Sequence, residues 1–211
     1  LKILFAQLRR HKLQALINIL GMAVGIAGCM LISAYVLFEL SYDRQYEHSG
    51  RIYRVSADYP TTDSATVSAL VAPLMLEEFP QIEAAGRLYA NTPGLITRDE
   101  LSFYENELRF ADNGIFDVFD FEWLQSNPET ALTEPNTVVI TESIALKYFP
   151  GEDPMGKVLG LETRQIPMTV VGVIRDLPEN THLLFSMLGS VDLGVTRSGR
   201  SVENVLENWD F

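Results

Sequence analysis

The sequence predicts an α+β fold: one N-terminal transmembrane helix followed by a mixed α/β extracytoplasmic domain. Three observations predict it. Residues 13–38 form 26 consecutive positions without Asp, Glu, Lys, Arg or His. Four of the 16 Lys and Arg stand in the first 12 residues, so the rest of the chain carries 12 bases against 28 acids, a net charge of −16. Beyond residue 50, apolar runs of strand-like and helix-like period alternate along the chain.

The uncharged run comes first. About 20 apolar residues cross the roughly 30 Å hydrocarbon core as a helix, so 26 suffice, with some tilt. A secretory signal has an apolar part of only about 7–15 residues, which this run exceeds. Ile26-Ala27-Gly28-Cys29 resembles a lipoprotein box, but Met30 to Phe38 continue the apolar rod where a lipidated Cys leads into a polar tether. Cys29 is the one cysteine, so no internal disulfide forms and the redox compartment stays open.

The flanks orient the span. Lys2, Arg9, Arg10 and Lys12 precede it, while Glu39, Asp43 and Glu47 follow with Arg44 as the only nearby cation. Lys and Arg near a span are retained in the cytoplasm, which places the N-terminus inside and residues from about 40 onward outside. An acidic exterior domain disfavours nucleic acid as a partner. Gly21, Gly25 and Gly28 lie at i, i+4 and i+7 on one helix face, where another helix can approach closely. In the leader, Leu1, Leu4, Phe5 and Leu8 repeat at helical spacing among Lys2, Arg9 and Arg10, a pattern for an amphipathic helix on the headgroups or against a cytoplasmic partner. The organisation read from these features is a leader over 1–12, a span over 13–38 and an exterior domain over 39–211.

The exterior domain opens with "RIYRVSAD" (51–58), whose alternation predicts a half-buried strand. "SALVAPLMLEEFP" (68–80) predicts a helix with Leu70, Val71 and Leu74 at packing distance, provided Pro73 lies in the first turn. "LRFADNGIFDVFDFEWL" (108–124) reads as a strand entering a short helical turn, its four Phe forming core. In "NTVVITESIALKYFPGEDPMGKVL" (136–159), strand 138–140 meets Thr141 as an N-cap and a helix over 142–149 that stops at Pro150-Gly151. "MTVVGVIRDLP" (168–178) predicts a strand buried on both faces, with Gly172 marking a bulge or a close backbone approach.

Motifs for chemistry are missing from this pattern. His11, His48 and His182 have no second His or Cys at metal-ligand spacing. Neither the G-x-x-x-x-G-K-[ST] nor the G-x-G-x-x-G phosphate loop occurs, nor a G-x-S-x-G elbow. Glu77-Glu78, Glu105 with Glu107, Asp117 with Asp120 and Glu152-Asp153 are expected by composition and read as a solvated face. The expectation is a chain without enzymatic site, metal or cofactor.

The basic leader, the glycine-bearing span and the junction "ELSYDRQYEHSGRIYRVSAD" resemble the start of MacB/FtsX-type ABC-transporter permeases. "LEEFPQIEAAGRL" (76–88), "RFADNGIFDVFDFEWL" (109–124), "TALTEPNTVVITESIALKYFPGEDPMGKVL" (130–159) and "VVGVIRDLPENTHLLF" (170–185) follow in register, covering nearly the whole chain. The resemblance implies a permease subunit of the bacterial inner membrane with a periplasmic core domain, driven by a separate cytoplasmic ABC ATPase and moving that domain for export or mechanotransmission. Partners it implies are the ATPase, other permease helices or a second permease copy, the bilayer, and a periplasmic protein. Glu39, Tyr42, Asp43 and Tyr53 match its juxtamembrane pattern and form the expected lever between helix and domain; no catalytic residue carries over. The later spans of such permeases do not occur before Phe211, so 39–211 is expected to be a fragment's periplasmic core, or else the domain of a single-span protein. A membrane-anchored extracytoplasmic sensor or binding domain is the alternative.

Overall fold

The computed structural model describes residues 12–59, 62–64, 66–89, 93–126, 128–162 and 165–198. It divides into two units, residues 1–42 and 43–211.

The first unit is helix α1, Lys12–Glu39, whose bounds exceed the uncharged run by one residue at either end. None of its residues is buried. It is the one helix among the described residues long and apolar enough to cross a membrane. A Cβ on Gly21, Gly25 or Gly28 would meet nothing within 4 Å. The leader residues Leu1, Leu4, Phe5, Leu8, Arg9 and Arg10 lie outside the described residues.

The second unit is built on one mixed sheet. Its strands are β3 (Gly94–Arg98), β4 (Leu101–Glu105), β5 (Leu108–Ala111), β6 (Trp123–Gln125), β7 (Thr137–Thr141), β8 (Val158–Leu161), β9 (Ile166–Ile174) and β10 (Met187–Ser190), in the order β4-β3-β8-β9-β7-β10-β5. β7–β9 and β10–β5 are parallel; the other neighbours, including β6 on β9, are antiparallel. A separate hairpin joins β1 (Ala57–Tyr59) to β2 (Thr62–Ser64).

Burial explains the centre. Every residue of β7 is buried, and alternation sends Val138 and Ile140 to one core while Val139 goes to another. A strand covered on both faces needs an unbroken apolar run, which "TVVIT" and "MTVVGVI" supply. β9 pairs Val170 with Val138 but Gly172 with Val139, so one extra residue, Val171, bulges from the ladder. The adjoining Gly172 admits Trp123: a Cβ there would stand 2.6 Å from the indole Cζ3. Both readings of that glycine are therefore met at one place.

Helices α2 (Val71–Glu78), α3 (Ile115–Val118), α4 (Glu142–Tyr148) and α5 (Val191–Ser198) complete the unit. Pro73 is the third residue of α2, inside the first turn as required. α4 begins where the sequence places it, but Thr141 makes no side-chain cap bond. Asp176, just past β9, caps instead: its carboxylate accepts from Ser143 N at 3.1 Å and Ser143 Oγ at 2.5 Å. These bonds outweigh the desolvation that would raise the Asp176 carboxyl and hold it below its usual value.

Three expectations need correction. The alternation of 51–58 does not make a strand over that range. Residues 49–51 form a 3-10 turn, 52–56 pair with no strand, and only Ala57 and Asp58 enter β1. Tyr53 is 83% exposed and Val55 is exposed too; of the alternating residues 52–56 only Ile52, on the other side, packs against a core. Likewise α2 buries none of its residues, and Leu70 and Leu74 stand exposed. Glu105 also leaves the solvated set: it is buried, accepting from Tyr148 Oη at 2.6 Å and Lys147 Nζ at 2.7 Å. Burial and that carboxylate push the Tyr148 hydroxyl far upward, keeping it a donor.

Candidate functional site

The residues predicted to couple helix and domain fall on both sides of the division between the units. At the end of α1 the chain turns tightly: Leu40 N donates to Val36 O at 2.9 Å, and Ser41 donates to Phe38 O from N at 3.0 Å and from Oγ at 2.6 Å. Satisfying the last helical carbonyls this way ends the helix without a glycine. Glu39 is its last residue, and Tyr42 sets its ring edge-on to Phe38 with centroids 5.6 Å apart.

Asp43 opens the second unit in the left-handed region, φ +55°. Asp tolerates that conformation because its short polar side chain bonds nearby groups. Here the groups are nearby in space and remote in sequence. Asp43 N donates to Asn180 O at 3.1 Å. Its Oδ1 accepts from Thr181 Oγ1 at 2.8 Å and His182 N at 3.0 Å, and its Oδ2 meets His182 Nδ1 at 2.6 Å. A carboxylate only accepts, so the imidazole carries its proton on Nδ1. Burial raises the Asp43 carboxyl, but the bonds from His182 and Thr181 outweigh it and hold the group below the usual carboxylate range.

Thr181 is buried and fully used. Its proton goes to Asp43, and its oxygen receives Leu183 N at 3.1 Å and Tyr46 Oη at 3.2 Å. Tyr46, 3% exposed, packs edge-on to Phe119 at 4.9 Å and to Phe121 at 6.3 Å, within the core that also holds Ile174 and Phe185. Desolvation raises its hydroxyl, so Tyr46 stays protonated and donates. Glu47 N donates to Asp120 Oδ2 at 3.2 Å. The segment 43–47 is thus clasped from two sides, by the 180–183 loop between β9 and β10 and by residues 119–121 just after α3.

Asp, His and a hydroxyl in contact invite comparison with a nucleophile triad. The order of bonds is different: the hydroxyl bonds the carboxylate, whereas a triad places the nucleophile on the imidazole. This arrangement holds a chain segment in place. No three His, Cys, Asp or Glu converge as a metal site among the described residues.

Of the four juxtamembrane residues, Asp43 is in the clasp, Glu39 and Tyr42 close the helix end, and Tyr53 stands in the exposed connector. Tyr46, Thr181 and His182 were not singled out for this site. The only local trace of them is the polar Asn180-Thr181-His182 step after an apolar strand.

The family model of the MacB-like periplasmic core domain matches residues 15–203. No curated protein matches the chain. Among solved structures, a permease-protein domain from Porphyromonas gingivalis is 29% identical with a TM-score of 0.58, over 70% of this chain and 64% of that one. The periplasmic region of MacB from Actinobacillus actinomycetemcomitans is 18% identical with a TM-score of 0.46, covering 64% and 60%. The extracellular domain of the noncanonic ABC-type transporter YknZ from Gram-positive bacteria is 18% identical with a TM-score of 0.49, covering 64% and 67%. The chain therefore spans just under two thirds of the length of the Porphyromonas domain. The family match takes in most of α1 and the whole described sheet, and on that ground the chain belongs to the MacB-like periplasmic core domain family of ABC-transporter permeases.

Proposed function

We propose that this chain is the N-terminal part of an inner-membrane ABC-transporter permease, anchored by α1 with residues 39–211 in the periplasm. A separate cytoplasmic ATPase hydrolyses nucleotide, and the permease converts its closure into movement of the periplasmic domain, for export or for mechanical signalling. The supporting observation is that one family match begins inside the apolar helix and continues through the sheet domain. Basic residues before the span and acidic ones after it support the orientation.

In this reading residues 1–12, with Leu1, Leu4, Phe5, Leu8, Arg9 and Arg10, contact the ATPase side. Gly21, Gly25 and Gly28 receive another permease helix or a second copy, since their face is open. Glu39, Tyr42, Asp43 and Tyr53 belong to the lever, with Asp43 as its fastening point. A lever transmits displacement only if its end is fixed, and the Asp43–Thr181–His182 bonds supply that fixation.

The test uses the ATPase co-purified with the chain in lipid nanodiscs. Deleting residues 1–12 with insertion intact is expected to uncouple nucleotide turnover from the permease, and Asp43→Ala to weaken the coupling with assembly retained. Turnover unchanged in both would remove the proposal.

A further inference from the structure

The stretch from Val55 to Gly86 contains no Lys, Arg or His and five acids: Asp58, Asp63, Glu77, Glu78 and Glu83. It is also the least buried part of the second unit, Ala69 being its only buried residue among those described. Yet it is not polar throughout. Leu70, Leu74 and Phe79 are 43%, 52% and 50% exposed, and Leu76 shows as well. Four large apolar side chains within ten residues of a two-turn helix are more than the scattered exposed Leu of an ordinary surface.

The helix has its own anchorage elsewhere. Arg87 Nη1 donates to Ala69 O at 3.3 Å, and Arg51 pairs with Glu83 at 2.7 Å. Glu77 and Glu78 make no ion pair among the described residues. At 3.6 residues per turn Leu70 and Leu74 share one helix side with Glu77 and Glu78, so exposed apolar groups stand directly beside two carboxylates without an ion pair among the described residues.

We infer that α2 and Phe79 form a docking surface for a basic, apolar segment of an extracytoplasmic partner protein. Charge decides among the occupants of an apolar face. A second copy packed two-fold through this surface would set Glu77 and Glu78 against the same acids, and an anionic lipid surface would repel them; a cationic partner gains from both the exposed apolar side chains and the carboxylates beside them. The inference deepens the proposed function, resting on it only for the placement of these residues outside the membrane.

A photo-reactive phenylalanine analogue placed at Leu74 or Phe79 of the full chain, in its native membrane, tests this, with the exposed Leu146 of α4 as the control position. The expected result is a polypeptide adduct at 74 and 79 and not at 146. Mass spectrometry should find its linked peptide net positive. The yield should fall several-fold between about 50 and about 300 mM salt, where screening shortens, and fall likewise in Glu77→Lys/Glu78→Lys. An adduct with a second copy, lipid adducts alone, an acidic peptide, salt-insensitive yield, or nothing above the control would each overturn it. Cross-linking lost with ATPase coupling intact overturns this inference alone; coupling lost with cross-linking intact overturns the proposed function alone.

Discussion

Residues 43–47 and residues 52–56 are neighbours in sequence and opposites in physics. The first five are fastened across more than 130 positions to Thr181 and His182, with Tyr46 buried among aromatic rings. The second five pair with no strand, and Tyr53 and Val55 are exposed. Local pattern favoured the second, because Ile52 to Ala57 alternate cleanly; tertiary contact selected the first. Alternation reports that a segment could bury one face, and burial happens only where another layer exists to receive it.

The comparison breaks most visibly in the sheet centre. Ile140→Ala, at a fully buried β7 position, should cost about 2–5 kcal/mol of unfolding free energy. Urea titration of the detergent-solubilised chain followed by tryptophan emission reads it. Gly172→Val should follow at about 1–3 kcal/mol, since its side chain must displace the Trp123 ring. Trp123 emission should shift in that variant even before unfolding begins.

Asp43→Ala sharpens the contrast at the clasp. Its side chain is partly solvated, so a loss of about 1 kcal/mol is expected, the scale of one or two ordinary hydrogen bonds. The pH sign follows from the lowered carboxyl: the stabilisation is complete above the unfolded value of about 3.9 and is lost as pH falls through the lower folded value. Wild type and Asp43→Ala should therefore differ at neutral pH and converge in acid. A difference that persisted unchanged at pH values well below the folded carboxyl's would contradict the assignment of those bonds to the ionised form. Smallest of all, Leu74→Ala on the exposed helix should change stability by less than about 0.5 kcal/mol.

Legibility divided along the same line. β7 into α4 could be read because "TVVITES" combines an apolar β-branched run with a helix start, both local signals. Even there the actual cap came from Asp176, which no spacing rule reaches. Gly172 was readable because a glycine inside an apolar strand has few explanations, and the structure supplies two of them together. Asp43 was named from a resemblance to permeases, whereas its partners Thr181 and His182 could not be, since hydrogen bonds between residues 138 and 139 positions apart leave no periodicity. Glu105 misled for the opposite reason: in an acid-rich chain a carboxylate bound by Tyr148 and Lys147 looks like every other carboxylate.

The account stands on α1 crossing the bilayer with the leader inside and the sheet domain outside. With Cys29 replaced by Ser, single cysteines at Lys2 and at the exposed Tyr53 can be labelled in outer-membrane-permeabilised cells with a membrane-impermeant maleimide. The account predicts that Tyr53→Cys reacts in intact spheroplasts and Lys2→Cys only after lysis. The reverse order, or equal reaction of both before lysis, would contradict it.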